Sequence, residues 1–166
     1  MLLKWKTNVT RFEKVMLIIL AMLLFLFVSF FLLFLRAHQP MFVAKKQTIA
    51  IAKSIVGMQK IKKFYHFTRK NTYYSVEGLD TKNRKVYVIV PKSGSKVTII
   101  EKNQGITEEK AISLVKNSTS KVLFNNIGIY DNKPVWEIVT KSDLKNYNYY
   151  LLDFKTGEYV KEMKNI

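Results

Sequence analysis

Residues 148–162 read NYYLLDFKTGEYVKE. An aromatic and aliphatic run ends in an acid, a Lys-Thr-Gly turn follows, and a second short run closes the segment. Three readings compete: part of a catalytic site, a metal loop, or a β-hairpin. Residues 86–99, VYVIVPKSGSKVTI, decide between them by repeating the plan of strand, Lys-Ser-Gly turn and strand. In a gapless alignment Asp153 falls on Val90, so the turn does not need the acid, whereas both copies keep glycine, at Gly94 and Gly157. Tight turns put one residue at positive φ, where a side chain collides and glycine does not. The stretch is read as a hairpin.

The likeness extends outward. Sliding the first half by 63 positions brings Ile49 onto Ile112, Lys53 onto Lys116, Lys70 onto Lys133 and Val76 onto Val139. The same shift brings Asp80 onto Asp143, Lys82–Asn83 onto Lys145–Asn146, and Tyr87 onto Tyr150. Lys92 then meets Lys155, and Val97 meets Val160. Each copy reads as one helix followed by strands. The first helix spans about 44–56, with Ile49, Ala52 and Val56 on one face and Gly57 placed to stop it. Runs rich in Val, Ile, Tyr and Phe follow near 61–68, 72–78, 84–90 and 96–101. The second copy opens with GITEEKAISLVKN at 105–117, where Thr107 caps the helix, Glu108 and Glu109 complement its positive end, and Ile106 and Ala111 form a weak staple. Its strands lie near 121–130, 134–141, 147–153 and 158–163. The fold class is α+β, a duplicated unit of helix then antiparallel sheet, with copies at 44–102 and 103–166.

What precedes the copies is of another kind. Residues 15–35 hold no charge and one polar residue, Ser29. At about 1.5 Å per residue such a helix spans roughly 30 Å, the thickness of a bilayer's hydrocarbon core. A cleaved signal peptide has a shorter apolar run ending in a small-x-small site; here the run is longer and Leu35 stands where a small residue belongs, which favours an uncleaved anchor. Residues 36–43 read as a juxtamembrane connector. Lys4, Lys6, Arg11 and Lys14 against Glu13 make residues 1–14 a basic tail, and the positive-inside preference keeps it cytoplasmic with both copies outside. The absence of cysteine is compatible with an envelope protein that does without disulfides. Net charge is +16; without the tail the remainder holds 24 basic and 11 acidic side chains, about +13. That balance attracts polyanions. Outside a membrane these are anionic lipid heads or acidic wall polymers, not nucleic acid; a well-solvated lysine-rich surface is the equal alternative.

The duplicated unit and the ending Trp136–Ile138 with YYLLDFKTGEYV at 149–160 resemble the PepSY domain. With a short tail and one anchor, the whole chain resembles the TseB-like (YpmB-type) cell-wall elongation regulators of Gram-positive bacteria. The resemblance implies two tandem cystatin-like modules at the outer membrane face and an accessory role, binding a penicillin-binding transpeptidase. Trp136, Tyr150, Asp153, Gly157 and Glu158 match the PepSY pattern. The first copy keeps Tyr87 and Gly94 but has Val90 and Ser95 where the pattern has Asp and Glu. PepSY units also resemble segments of protease propeptides, which implies an alternative role in restraining a peptidase.

Little in the residues suggests catalysis. The only histidines are His38 and His66, no serine motif provides a nucleophile with its base, the glycines form no phosphate cradle, and no spacing marks a metal site. No cofactor is expected. The triplet Asn117–Thr119 fits a glycosylation sequon by chance. Tyrosine is the surplus: Tyr73, Tyr74, Tyr147, Tyr149 and Tyr159 sit in strands whose alternate residues face opposite sides, and tyrosine suits interfaces. They are the candidates for partner contact, against the alternative of core packing.

Overall fold

A computed structural model describes residues 10–115, 120–143, 146–164 and 166, with no side-chain description for 36–39. Lys4 and Lys6 of the basic tail, Lys116, the Asn117–Thr119 triplet, Lys145 and the His38 side chain lie outside the described residues. The chain divides into a unit ending at Val43 and a unit from Ala44 to Ile166.

Helix α1, Arg11–Val56, runs from the first unit into the second. Its start is a capping box that the sequence reading missed. Thr10 N donates to Glu13 Oε2 at 2.7 Å and Glu13 N to Thr10 Oγ1 at 3.3 Å, satisfying two otherwise orphaned amides. From Val15 to Leu35 large apolar side chains are exposed around the whole helix, which is long and apolar enough to cross a membrane. Residues 36–43, read as a connector, are helical with Pro40 inside. Proline removes one backbone bond, but continuing a helix costs less than ending it and nucleating another four residues later.

The second unit holds two four-stranded antiparallel meanders. The first is β1 (Lys60–Thr68), β2 (Thr72–Leu79), β3 (Lys85–Pro91) and β4 (Thr98–Glu101), in that order. A 3₁₀ turn, Lys102–Gln104, leads to α2 (Glu108–Val115). The second sheet is β5 (Ser120–Tyr130), β6 (Lys133–Ser142), β7 (Tyr147–Asp153) and β8 (Tyr159–Met163), again in chain order. Thr107 Oγ1 accepts from Lys110 N at 3.2 Å, the expected N-cap. Gly57, Gly94 and Gly157 all have positive φ, as a helix stop and two turns require.

The duplication is real, but a single offset of 63 is not. In the first sheet Asp80 N bonds to Arg84 O and Lys92 N to Thr72 O; in the second Ser142 N bonds to Asn146 O and Phe154 N to Pro134 O. These pairs are 62 apart, so Val76 and Val88, partners across β2 and β3, correspond to Ile138 and Tyr150 across β6 and β7. The bulges at Lys62 and Leu123 put β1 and β5 at 61. A shift of one residue turns every strand side chain to the other face. Tyr87 therefore corresponds to Tyr149, Val90 to Leu152, and Asp153 to Pro91. The helices and the final glycine turn do keep 63: Thr48, Ile49 and Ala52 correspond to Ala111, Ile112 and Val115. One extra residue in the last turn restores the offset, since Gly94 N bonds to Pro91 O but Gly157 N to Asp153 O.

With the register corrected, the helix-facing positions agree. In the first module Ala52 packs with Val76, Val86, Val88 and Val90, joined by Ile49, Val56 and Phe64. In the second Ala111 and Val115 share a cluster with Trp136, Ile138, Tyr150 and Leu152. That cluster also contains Tyr65, Tyr87 and Ile89, from the opposite face of the first sheet. The first sheet is thus covered on both faces, which explains why β3 reads KVYVIVP with no polar alternation.

Candidate functional site

Strand β1 forms the seam between the modules. Its alternate side chains Lys63, Tyr65 and Phe67, followed by Arg69 after the strand, all meet the second module. At one end Lys63 Nζ lies 2.5 Å from Glu108 Oε1 in the first turn of α2. The Tyr65 hydroxyl stands 3.1 Å from Glu77 Oε2 and 2.9 Å from Glu108 Oε2. It has one proton, so it donates to one carboxylate at a time. Each carboxylate has its own lysine, because Lys102 Nζ sits 2.9 Å from Glu77 Oε1. Burial, then the negative charge of Glu108, pushes the Tyr65 phenol far above its ordinary range. Burial and the charge of Glu77 raise Tyr87 as well. Burial alone would raise Glu108, but the hydrogen bonds from Lys63 and Tyr65 outweigh it and hold this carboxyl below its usual value.

The middle of the seam is apolar and buried. Phe67 is fully buried with Val135 and Leu151. Tyr65 and Tyr87 meet Trp136 edge-on, at 5.9 and 5.6 Å between centroids, and Tyr87 meets Phe154 at 6.1 Å. Gly128 of β5 admits Phe67: a Cβ there would fall 2.3 Å from its Cγ. Backbone contacts tie the strands further, with Ser75 Oγ donating to Ile127 O at 2.8 Å and His66 N to Asn126 Oδ1 at 3.3 Å.

At the other end Arg69 lies 2.5 Å from Glu137 Oε1, a carboxylate only 4% exposed, with its guanidinium 4.8 Å from the Tyr149 ring centroid. Asn126 Nδ2 holds the second Glu137 oxygen at 3.2 Å. A groove of about 430 Å³ opens over this pair, lined also by His66, Thr68, Phe124, Asn126 and Tyr149. His66 is fixed there by stacking on Tyr74 at 5.2 Å and by a 2.9 Å contact with Thr68 Oγ1.

The residues expected to form the PepSY motif do not converge on one spot. Trp136 is fully buried at the seam and donates Nε1–H to Ile106 O at 3.0 Å. Tyr150 faces α2 in the second core, and Tyr87 faces the seam. Asp153 Oδ1 accepts from Lys155 N and Thr156 N, which shapes the turn completed by Gly157 and Glu158. Of the tyrosine candidates, Tyr149 lines the groove and Tyr74 backs it, while Tyr73 packs against the seam cores. Tyr147 and Tyr159 are exposed at 37% and 52%, Tyr147 under Lys141 and Tyr159 bonded to Leu114 O. Sequence reasoning passed over Lys63, Arg69, Glu77, Asn126 and Glu137, and gave Glu108 only a place at the start of α2. One available signal was the strand KIKKFYHFT, which presents aromatic residues on both faces.

Comparison with known proteins points one way. Residues 47–91 match the family model described as the cell wall elongation regulator TseB-like domain. Over 117 residues the chain is 29% identical to the probable cell wall elongation regulator TseB of Bacillus subtilis (strain 168), covering 69% of this chain and 73% of that protein. The solved structure of the YpmB protein from Bacillus subtilis superposes with a TM-score of 0.62 at 27% identity, covering 72% of this chain and 95% of that one. Domain model, relative and solved fold agree: the chain is similar to the TseB-like, YpmB-type cell wall elongation regulators, and residues 47–91 carry the match to that domain.

Proposed function

We propose that the chain is a non-enzymatic regulator held at the membrane by α1, with its short N-terminal tail cytoplasmic and both modules outside, where they bind a penicillin-binding transpeptidase during elongation. The observation that carries this reading is the agreement of family and fold on a cell wall elongation regulator, joined to one N-terminal helix long and apolar enough to span a bilayer. An anchor confines the modules to the plane of their partner, so a weak interface suffices. The test is titration of the full-length protein in nanodiscs against purified penicillin-binding ectodomains at low and moderate salt. One-to-one binding that persists at moderate salt supports the reading, and its absence overturns it.

A second reading, capture of acidic wall polymer, draws on the charge pattern. Glu77, Asp80, Glu101, Glu108 and Glu137 are engaged by Lys102, Arg84, Lys63 and Arg69. Exposed lysines such as Lys60, Lys62, Lys70, Lys85, Lys92 and Lys96 remain to face solvent. Polymer affinity would fall steeply with salt, in contrast to transpeptidase binding. The peptidase-restraining alternative predicts slower cleavage of a test substrate by an envelope protease.

A further inference from the structure

We infer that the seam groove is a binding site for a neutral glycan carrying N-acetylated amino sugars. This goes beyond regulation through a protein partner, and neither reading depends on the other.

The groove offers side chains and withholds backbone. An extended peptide docks most readily by adding a strand to an open edge. Here both strands that border the groove are edge strands already spoken for: His66 N bonds to Asn126 Oδ1, Ile127 O accepts from Ser75, and each strand carries a bulge, which spoils ladder pairing. A polyanion finds no selective attraction either, since the one cation in the lining, Arg69, is neutralised by Glu137. What remains suits a ligand read by ring faces and hydroxyls.

Phe124 supplies the platform. It sits on β5 beside the bulge and is 46% exposed, next to an exposed Leu123, whereas Ile127 and Gly128 farther along the strand are buried. Flat apolar sugar faces and acetamido methyls pack on such rings. Around it stand an imidazole, a hydroxyl, an amide, a guanidinium and a phenol, the planar donors and acceptors that pair with sugar hydroxyls and an acetamido group. These groups are held in place beforehand: Arg69 between Glu137 and Tyr149, His66 against Tyr74, Asn126 against Glu137. Prior ordering lowers the entropy lost on binding. The volume falls within the range of about 300–1,000 Å³ for small-ligand clefts.

The test is calorimetric titration of tetra-N-acetylchitotetraose into the full-length protein in nanodiscs, beside Phe124→Ala and Tyr149→Phe. The expected result is saturable binding by the native chain, weakened at least about tenfold by Phe124→Ala and measurably by Tyr149→Phe, with unchanged circular dichroism. Tyr149→Phe keeps the ring under Arg69 and so serves if Phe124→Ala fails to fold. Absence of saturation at millimolar sugar overturns the inference, as does full affinity in both variants. Equal binding of maltotetraose, which has no acetamido group, overturns the sugar assignment. Loss of glycan binding with transpeptidase binding intact would separate this site from the proposed regulatory contact.

Discussion

Gly128→Ala is the sharpest test of the seam, because local and tertiary effects act in opposite directions. Glycine in the middle of a strand costs about 0.5–1 kcal/mol relative to alanine through lost chain entropy. Its φ is not in the left-handed region, so on strand propensity alone the substitution stabilises. The tertiary term has the other sign. The new Cβ would lie 2.3 Å from Phe67 Cγ and 2.5 Å from Cδ1. Carbon atoms prefer about 3.5–4.0 Å, so the ring must retreat by about 1.2 Å or more. Phe67 has no space for that, being fully buried against Val135 and Leu151. Overpacking of this kind costs about 1–3 kcal/mol, and a hemmed-in ring belongs toward the upper end. The net expectation is a loss of about 1–2 kcal/mol. Urea unfolding of the full-length protein in micelles measures it, with Trp136 as the sole tryptophan, selectively excited, in a Trp5→Phe background. A second variant, Phe67→Leu with Gly128→Ala, should lose less than the sum of the two single changes, the mark of residues in contact. A gain in stability from Gly128→Ala would refute the reasoning, since it would mean that the modules fold as separate bodies.

Three further expectations follow from the same seam. Arg69→Met leaves Glu137 buried with only Asn126, costing about 3 kcal/mol, while adding Glu137→Leu recovers most of the loss; a thermal melt of the three variants decides it. Trp136→Phe strands the Ile106 carbonyl, for about 1–3 kcal/mol in urea unfolding followed by circular dichroism, since the substitution removes the fluorescent reporter. Glu108 titrates lower in the folded chain than its ordinary value of 4.5, so its contribution is present above that value and fades as pH falls through the lowered one; melts against pH should show Glu108→Gln with a flatter acid limb than the native chain.

The elements were readable because helix and strand periods are local. Thr107, Gly57, Gly94 and Gly157 mark caps and turns whose cause lies within a few residues, and their positions stand. Sheet register was not readable from matched letters. Tyr87 aligned with Tyr150 looks like a repeated motif, yet the ladder registers of the two sheets make its counterpart Tyr149, one residue and one sheet face away. Identity at a gapless offset ignores bulges and turn lengths, and those set the register. The seam was hidden for a different reason. Glu77 and Glu137 look like ordinary surface acids in the sequence and Glu108 like a helix-start acid, and only tertiary packing brings Lys102, Arg69 and Lys63 to them. Phe124 ends the apolar run 122–124 before Asn125 and Asn126, so nothing in that run distinguishes it from a core residue.

The double coverage of the first sheet has a consequence for the order of events during synthesis. The chain is made from its N-terminus, so β1 and β3 exist well before β6 and β7. In that interval Tyr65, Phe67, Tyr87 and Ile89 form an oily surface with nothing to cover it, because Trp136, Leu151, Leu152 and Phe154 have yet to be made. The first module cannot finish folding while it waits. A nascent chain halted near Gln104 would be sticky and open to proteases, and the one that reaches Phe154 would close both modules together.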